Sequence, residues 1–208
     1  MTVIIKEKAY RYMEAYSRNV KDGEIGGLLL GKIKKNGDLV VNKAILLGQR
    51  KTTSHFEISE KAMMDFTKNA SCKMLSSVIG WWHSHNTMNT FWSKDDDKCF
   101  QRLCNLSDMC FGIVVAFKGN IRKGGMSYKC RLDSKLKNGN YVSVDDIEPF
   151  LDVPIDFSKE VDVGKIYEEI EEKVEEDDRD WQECGCCGGT GFIVVETTKR
   201  KGLPFFGV

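Results

Sequence analysis

Two histidines at the end of one apolar run constrain this chain more than any other feature. His83 and His85 follow residues 77–82, SVIGWW, which predict a buried strand. Alternate side chains of a strand share a face, so both imidazoles would point to the same side and could bind one ion. Asp96, further along the chain, offers a carboxylate oxygen as a third ligand. Three protein ligands and one open position are typical of a catalytic zinc site.

A simpler explanation exists for the residues that follow the histidines. The segment from Ser93 to Asp96, SKDD, has the form of a helix N-terminus, with Ser93 as the cap and Asp96 as the acid at the third helical position. A histidine at a strand end is also usually a packed structural residue. Taken alone, this segment therefore favours helix capping over metal binding for Ser93 and Asp96.

The spacing of the four residues resembles the metal-binding signature of the JAMM metalloproteases, also called the MPN+ or JAB family. In this chain His83-x-His85 is followed by seven residues, then Ser93, then two residues and Asp96. One departure is Asn86, which stands where the family usually has proline after the second histidine. That position is not a ligand, so the departure concerns the stiffness of the loop.

A second, upstream motif supports the resemblance. The family has a glutamate in a Glu-x-x-Gly-Leu-Leu-x-Gly setting, and residues 24–31 of this chain read EIGGLLLG, beginning with Glu24. The resemblance extends over about residues 6–132. The order of elements also favours an α/β fold. We expect an MPN/JAB-like sandwich of a mixed, mostly antiparallel sheet flanked by helices, which is finished by Leu132 and carries a small C-terminal Cys/Gly-rich segment.

The resemblance implies a zinc-dependent metallopeptidase or isopeptidase. It would hydrolyse an amide bond after the C-terminal tail of a ubiquitin-like protein. His83, His85 and Asp96 would hold Zn²⁺, Glu24 would be the general base for the zinc-activated water, and Ser93 would donate a hydrogen bond to the oxyanion. Without the resemblance, Glu24 would be interpreted as a surface acid at a strand start. The short spacings between motif residues favour a minimal prokaryotic or phage-like member.

Other function classes are compatible with the same residues. A zinc endopeptidase acting on phage-tail or cell-wall peptides would have the same metal centre. A non-catalytic MPN scaffold would have the same fold, although the complete ligand set argues against it. The third histidine, His55, is expected to be structural or to face the substrate.

Composition excludes several classes of partner. Among 208 residues the net charge is zero, so no bulk positive field recruits nucleic acid. No apolar run is long enough to cross a membrane, while the apolar fraction of 41% supports a sizeable core. Five of the eight cysteines are scattered singly, mostly in apolar patterns, which favours a reducing, cytoplasmic location. The expected partner is a protein or peptide substrate, and the oligomeric state stays open.

Changes in composition divide the chain into three predicted parts. Residues 1–133 would be the catalytic domain, residues 134–180 a wrapping segment with an acidic linker or helix, and residues 181–208 a Cys/Gly-rich tail. Ile166, Ile170 and Val174 recur every four residues in the acidic part, which predicts an exposed, charged helix. We expect this part to be a solvated spacer rather than a docking site.

The tail contains Cys184, Cys186 and Cys187 in a Cys-x-x-Cys-x-Gly-x-Gly pattern. This pattern resembles one zinc-binding repeat of the DnaJ-type chaperones, which would make Cys184 and Cys187 ligands of a second zinc. A closed structural zinc site needs four ligands, and this tail supplies at most three thiolates. The alternative is a reduced, Gly-rich hairpin that flanks the apolar residues from Phe192.

Overall fold

The structure is a computed structural model that describes residues 1–20, 23–107, 109–117, 126–152, 161–176, 182–183 and 192–193. Its strands are β1 (Val3–Lys6), β2 (Gly26–Ile33), β3 (Leu39–Leu46), β4 (Gln49–Lys51), β5 (Phe56–Ile58), β6 (Val78–Ser84), β7 (Met109–Phe117), β8 (Met126–Lys135), β9 (Tyr141–Ile147), β10 (Phe150–Asp152), β11 (Val174–Glu176), β12 (Gln182–Glu183) and β13 (Phe192–Ile193). Its helices are α1 (Glu7–Asn19), α2 (Glu60–Asn69), α3 (Cys72–Leu75), α4 (Lys94–Ser107) and α5 (Val163–Lys173).

One large sheet organises the molecule. Its strand order is β10-β1-β3-β2-β6-β7-β8-β9. The pairs β10–β1, β1–β3 and β6–β7 are parallel, and the other four are antiparallel. A small second sheet has the order β11-β4-β5. The predicted fold class, a mixed and mostly antiparallel sheet flanked by helices, is therefore confirmed.

The two faces of the large sheet carry separate apolar cores, because neighbouring residues of a strand point to opposite faces. Trp82 lies in the core shared with α1 and α5, where its ring stacks on Tyr16 with centroids 6.0 Å apart. Trp81 lies in the other core, with Phe100 of α4. The two tryptophans therefore point in opposite directions, and each packs in its own core.

Gly27, in the upstream motif, has to be a glycine because strands β2 and β3 pack closely at this position. A Cβ on Gly27 would lie 1.9 Å from the carbonyl oxygen of Ile45 on β3, which is well inside van der Waals contact. Any larger residue would push β2 away from β3. Because β2 also pairs with β6, with Gly26 opposite His83, this spacing fixes where the chain before β2 meets the histidines.

The sheet continues beyond its predicted end at Leu132. β8 runs to Lys135, β9 adds a strand beside it, and β10 adds a strand beside β1 at the opposite edge. The expectation that the sandwich is finished by Leu132 is therefore wrong, and the predicted boundary after residue 133 falls inside β8. The edge position of β9 explains the error, because its Val142 and Val144 stay exposed instead of entering the core.

The described part of the acidic segment is docked on the domain. Ile166 is fully buried in the core beneath α1, and Ile170 and Val174 pack against the same core. The Tyr16 hydroxyl donates to the Glu169 carboxylate at 2.5 Å. The expected solvated spacer is thus wrong for residues 161–176. The four-residue spacing of the three apolar side chains, predicted to lie on an exposed helix, instead forms a stripe that buries against the sheet layer.

Part of the tail lies outside the described residues. β12 and β13 pair antiparallel, with Gln182 opposite Ile193 and Glu183 opposite Phe192. Cys184, Cys186 and Cys187 fall between them and are not described, so zinc binding by Cys184 and Cys187 stays a prediction. Among the described residues, no helix combines the length and hydropathy that crossing a bilayer requires.

Candidate metal centre

The two histidines converge where β6 ends. The Nε2 atoms of His83 and His85 lie 3.0 Å apart, and the residues are 1% and 2% exposed. The His83 imidazole stacks on Trp81 with ring centroids 4.9 Å apart, and Phe56 lies 6.0 Å away. These aromatic rings fix the orientation of His83, so its Nε2 is directed at His85 without a hydrogen bond to the backbone.

A backbone carbonyl fixes the tautomer of His85. Its Nδ1 lies 2.9 Å from the carbonyl oxygen of Asn89. Because a carbonyl can only accept, the neutral ring must carry its proton on Nδ1, which leaves a lone pair on Nε2 facing the cluster. The exposed ring of Phe91 packs edge-on against this imidazole at 4.5 Å between centroids.

Asp96 uses its two carboxylate oxygens differently. Oδ2 accepts a hydrogen bond from the backbone amide of Ser93 at 2.6 Å, and the Ser93 hydroxyl accepts from the backbone amide of Asp96 at 3.1 Å. This reciprocal pair caps the N-terminus of α4. Oδ1 is buried without a hydrogen-bond partner and lies 3.6 Å from His83 Nε2. Helix capping is confirmed, and it leaves one oxygen free to bind an ion.

The cluster has the dimensions and charge states of a zinc site. The candidate ligand atoms of His83, His85 and Asp96 all lie within 4.8 Å of one another. Tetrahedral zinc with bonds near 2.05 Å requires ligand atoms about 3.3 Å apart. His83 Nε2 lies 3.0 Å from His85 and 3.6 Å from Asp96, which bracket that value, while the widest pair of the cluster is up to 4.8 Å apart and would have to close on an ion. Burial, followed by the neighbouring His85, holds the pKa of His83 well below its usual range, and burial also lowers the pKa of His85. Both imidazoles are therefore neutral, as metal ligands must be.

Glu24 reaches the same cluster from the loop that leads into β2. Its carboxylate Oε1 lies 3.9 Å from His85 Nε2, and the residue is 7% exposed. Burial, and then the Asp96 carboxylate, raise the pKa of Glu24 to about 8. A divalent cation held by the three ligands would lower that pKa, because its charge favours the carboxylate.

The family comparison agrees with this geometry. A family model described as prokaryotic homologs of the JAB domain matches residues 6–130. The chain belongs to this family. The matched residues include Glu24, both histidines, Ser93 and Asp96, which the structure brings together.

The other two comparisons add little to the family match. No match was found among the curated proteins. Among solved structures, the chain is similar to the solution structure of protein DSY2949 from Desulfitobacterium hafniense. The two are 18% identical with a TM-score of 0.48, and the match covers 76% of this chain and 97% of the other.

Two residues that tie this JAB domain's site together were missed in the sequence. Ser84 stands between the histidines, and its hydroxyl accepts from the Ile25 amide at 3.2 Å, while its own amide donates to the Ile25 carbonyl at 2.8 Å. Gln49 is buried, and its side chain makes two hydrogen bonds with the Gly26 backbone. Oε1 accepts from the Gly26 amide at 2.9 Å, and Nε2 donates to the Gly26 carbonyl at 2.8 Å. Their neighbours in the sequence gave no signal of these roles, which depend on the pairing of distant segments.

The third histidine is separate from the ligand cluster. His55 directly precedes β5 and is not one of the three residues that form the only potential metal cluster among the described residues. Its backbone carbonyl accepts from the Thr52 amide at 2.8 Å, which closes the turn between β4 and β5. Its expected role, structural or facing the substrate, stays a prediction.

Proposed function

We propose that this JAB domain is a zinc-dependent peptidase that hydrolyses an amide bond after the C-terminal tail of a ubiquitin-like protein. The observation that carries the proposal is the buried His83–His85–Asp96 cluster with Glu24 beside it, 3.9 Å from His85. A bound zinc ion would act as a Lewis acid and lower the pKa of water toward about 7. The remaining roles belong to the chain's own side chains.

Glu24 would carry the proton during the reaction. A general base must lie near the nucleophile and titrate near the operating pH. Glu24 is buried beside His85, and a bound cation would lower its raised pKa toward the range of a base at neutral pH. It would accept a proton from the attacking water and return it to the leaving amine. Ser93 Oγ accepts the Asp96 amide hydrogen and its hydroxyl also bonds to the Asp96 carboxylate, and that hydroxyl hydrogen would turn to the developing oxyanion.

The surface beside the cluster supports a peptide substrate. Met88 and Phe91 lie in the segment between His85 and Ser93 and are 40% and 45% exposed. Apolar side chains at the edge of a polar buried site suit a substrate that presents both an amide bond and an apolar residue. A ubiquitin-like tail would pass this edge in an extended form, as the resemblance to JAMM proteases implies.

The test combines metal analysis with cleavage of a panel of ubiquitin-like fusion proteins. Glu24→Gln should retain zinc and lose turnover by at least about a hundredfold, the usual contribution of acid–base catalysis. A double His83→Ala, His85→Ala variant should lose both zinc and turnover. Glu60→Gln, an exposed acid in the first turn of α2, is the matched control and should change neither.

Other outcomes would contradict parts of the proposal. Loss of zinc in Glu24→Gln would make Glu24 a ligand rather than a base. Cleavage of unrelated peptides but of no ubiquitin-like fusion would favour the endopeptidase alternative. Full zinc occupancy with no cleavage of any protein or peptide would favour a non-catalytic scaffold.

A further inference from the structure

Arg131 is a buried cation on β8 that reaches the helix carrying Asp96. The residue is 9% exposed, and its Nε and Nη2 donate to the two carboxylate oxygens of Asp133 at 2.7 and 2.8 Å. Its Nη1 donates to the carboxylate of Asp97, the residue after Asp96 in the first turn of α4. Its guanidinium carbon also lies 4.4 Å from the ring centroid of Phe100. One side chain therefore contacts α4 at two successive turns.

The guanidinium is itself held by the sheet. Asp133 is buried and also accepts a hydrogen bond from the Ser143 hydroxyl of β9 at 2.6 Å. The Asp145 carboxylate lies 3.5 Å from Arg131 Nε. A planar guanidinium that meets a carboxylate with two parallel hydrogen bonds has a fixed orientation, which a lysine ammonium would not have. Arg131 is thus a rigid link between the sheet and α4.

Both contacts with α4 involve residues that adjoin the candidate metal ligands, either in the helix or through packed side chains. Asp97 and Phe100 are three residues apart and share one face of the helix, so holding both fixes the rotation of its first turns. Asp96 must present Oδ1 at 3.6 Å from His83, and a small rotation of α4 would move that oxygen away. Phe100 also packs on Trp81 at 5.4 Å between centroids, and Trp81 stacks on His83.

We propose that Arg131 is a positioning residue for the metal centre. By holding Asp97 and Phe100 against the sheet, it sets α4 so that Asp96 faces the two histidines before an ion binds. The proposal rests on the metal-binding part of the proposed function and is independent of turnover. Partners outside the coordination sphere that orient ligands typically contribute ten- to a hundredfold to metal affinity.

The decisive variants change Asp97, because they break the link without leaving Arg131 unpaired. Asp97→Ala removes the hydrogen bond between Arg131 and α4, while Arg131 keeps its contact with the Phe100 ring and its bidentate bond to Asp133. Asp97→Asn removes the charge but keeps an oxygen that accepts from Arg131. Lys98→Met is the matched control, because it breaks an exposed ion pair with Asp95 in the same turn.

The full-length chain would be used, with Cys184, Cys186 and Cys187 replaced by serine in every variant so that the tail thiols do not bind the metal. Zinc affinity is measured by competition with a chromophoric chelator, and the geometry of the site by the visible absorption of bound Co²⁺. We expect Asp97→Ala to bind zinc at least about tenfold more weakly and to alter the Co²⁺ spectrum. Lys98→Met and Asp97→Asn should resemble the parent chain.

The outcomes separate this inference from the proposed function. Equal zinc affinity in Asp97→Ala and the parent would overturn the positioning role while leaving the metal centre intact. An equal loss in Asp97→Asn and Asp97→Ala would assign the effect to charge and also overturn it. A parent chain that binds no zinc would overturn the proposed function itself. Arg131→Met should weaken zinc binding further. If it fails to fold because Asp133 is left unpaired, the Asp97 variants decide alone.

Discussion

Replacing Ser93 by alanine would separate the two roles of its hydroxyl. In the structure Ser93 Oγ accepts the Asp96 amide hydrogen at 3.1 Å, while the reverse bond, from the Ser93 amide to Asp96 Oδ2, is made by the backbone. Ser93→Ala therefore removes one of the two capping bonds, the contact of the hydroxyl with the Asp96 carboxylate and the proposed oxyanion donor, but keeps the backbone bond that positions Asp96. Stability and turnover should respond by very different amounts.

The expected decrease in the free energy of unfolding is small and can be estimated from the capping hydrogen bond that is lost. Removing a serine cap lowers the free energy of unfolding by about 1 kcal/mol. For a chain of this length that corresponds to a decrease in Tm of about 2–4 °C. Loss of a donor to an oxyanion lowers kcat by about a hundred- to a thousandfold. Zinc content should stay unchanged, since Asp96 keeps its backbone bond.

The chain offers a matched control for the capping effect. Ser59 caps α2 through the same kind of bond, in which its hydroxyl accepts the Ala62 amide hydrogen at 3.2 Å. Neither Ser59 nor Ala62 belongs to the metal cluster. Ser59→Ala should therefore lower Tm by a similar amount and leave turnover unchanged.

Calorimetric unfolding, zinc analysis and single-turnover cleavage of a substrate identified by the fusion panel would give the three readouts. A Ser93→Ala chain with a lowered Tm and normal turnover would refute the oxyanion role and leave only the cap. A Ser93→Ala chain that lost zinc would show instead that the hydroxyl positions Asp96.

Two further predictions concern the loop after the histidines and the core thiols. Asn86 has φ of +51°, which proline cannot adopt, so Asn86→Pro should lower the free energy of unfolding in urea by about 1–3 kcal/mol while Asn86→Gly stays within about 1 kcal/mol of the parent. An equally stable proline variant would contradict the loop geometry. Burial raises the pKa of the Cys99 and Cys130 thiols to about 12, so at pH 8 iodoacetamide should modify exposed Cys72 in the native chain and spare these two, as peptide mass spectrometry would show. Equal labelling of Cys72, Cys99 and Cys130 would disprove the prediction that burial protects the core thiols.

The parts of the site that depend on residues close together in the chain could be predicted from the sequence. Strand alternation placed His83 and His85 on one side, and the Ser93–Asp96 spacing predicted a capped helix, so both follow from residues close in the chain. Glu24 could not be placed that way. It meets His85 only because β2 pairs with β6 with Gly26 opposite His83, and family resemblance was the sole indication of it.

Long-range packing explains what the sequence did not show. β9 is an edge strand whose exposed valines hide its pairing, and the acidic character of α5 obscured an apolar stripe that includes Ile166. Arg131 stands in an unremarkable polar stretch of β8, and its importance depends on meeting Asp97 on a helix far away in sequence. The contacts of Arg131 leave no periodic signal, and the four-residue spacing of α5 did not show that its apolar stripe is buried.

The pairing of β11 with β4 has a consequence for whatever follows it. β11 ends at Glu176, which pairs with Lys51 of β4. The carbonyl of Thr52, the residue after Lys51, accepts the Glu24 amide hydrogen. From Glu176 to Gln182, where β12 begins, the chain can span at most about 20 Å. A molecule held by the β12–β13 hairpin would thus stay within reach of Glu176 and the β4 edge, at a local concentration in the millimolar range. Even weak binding there would be amplified by proximity.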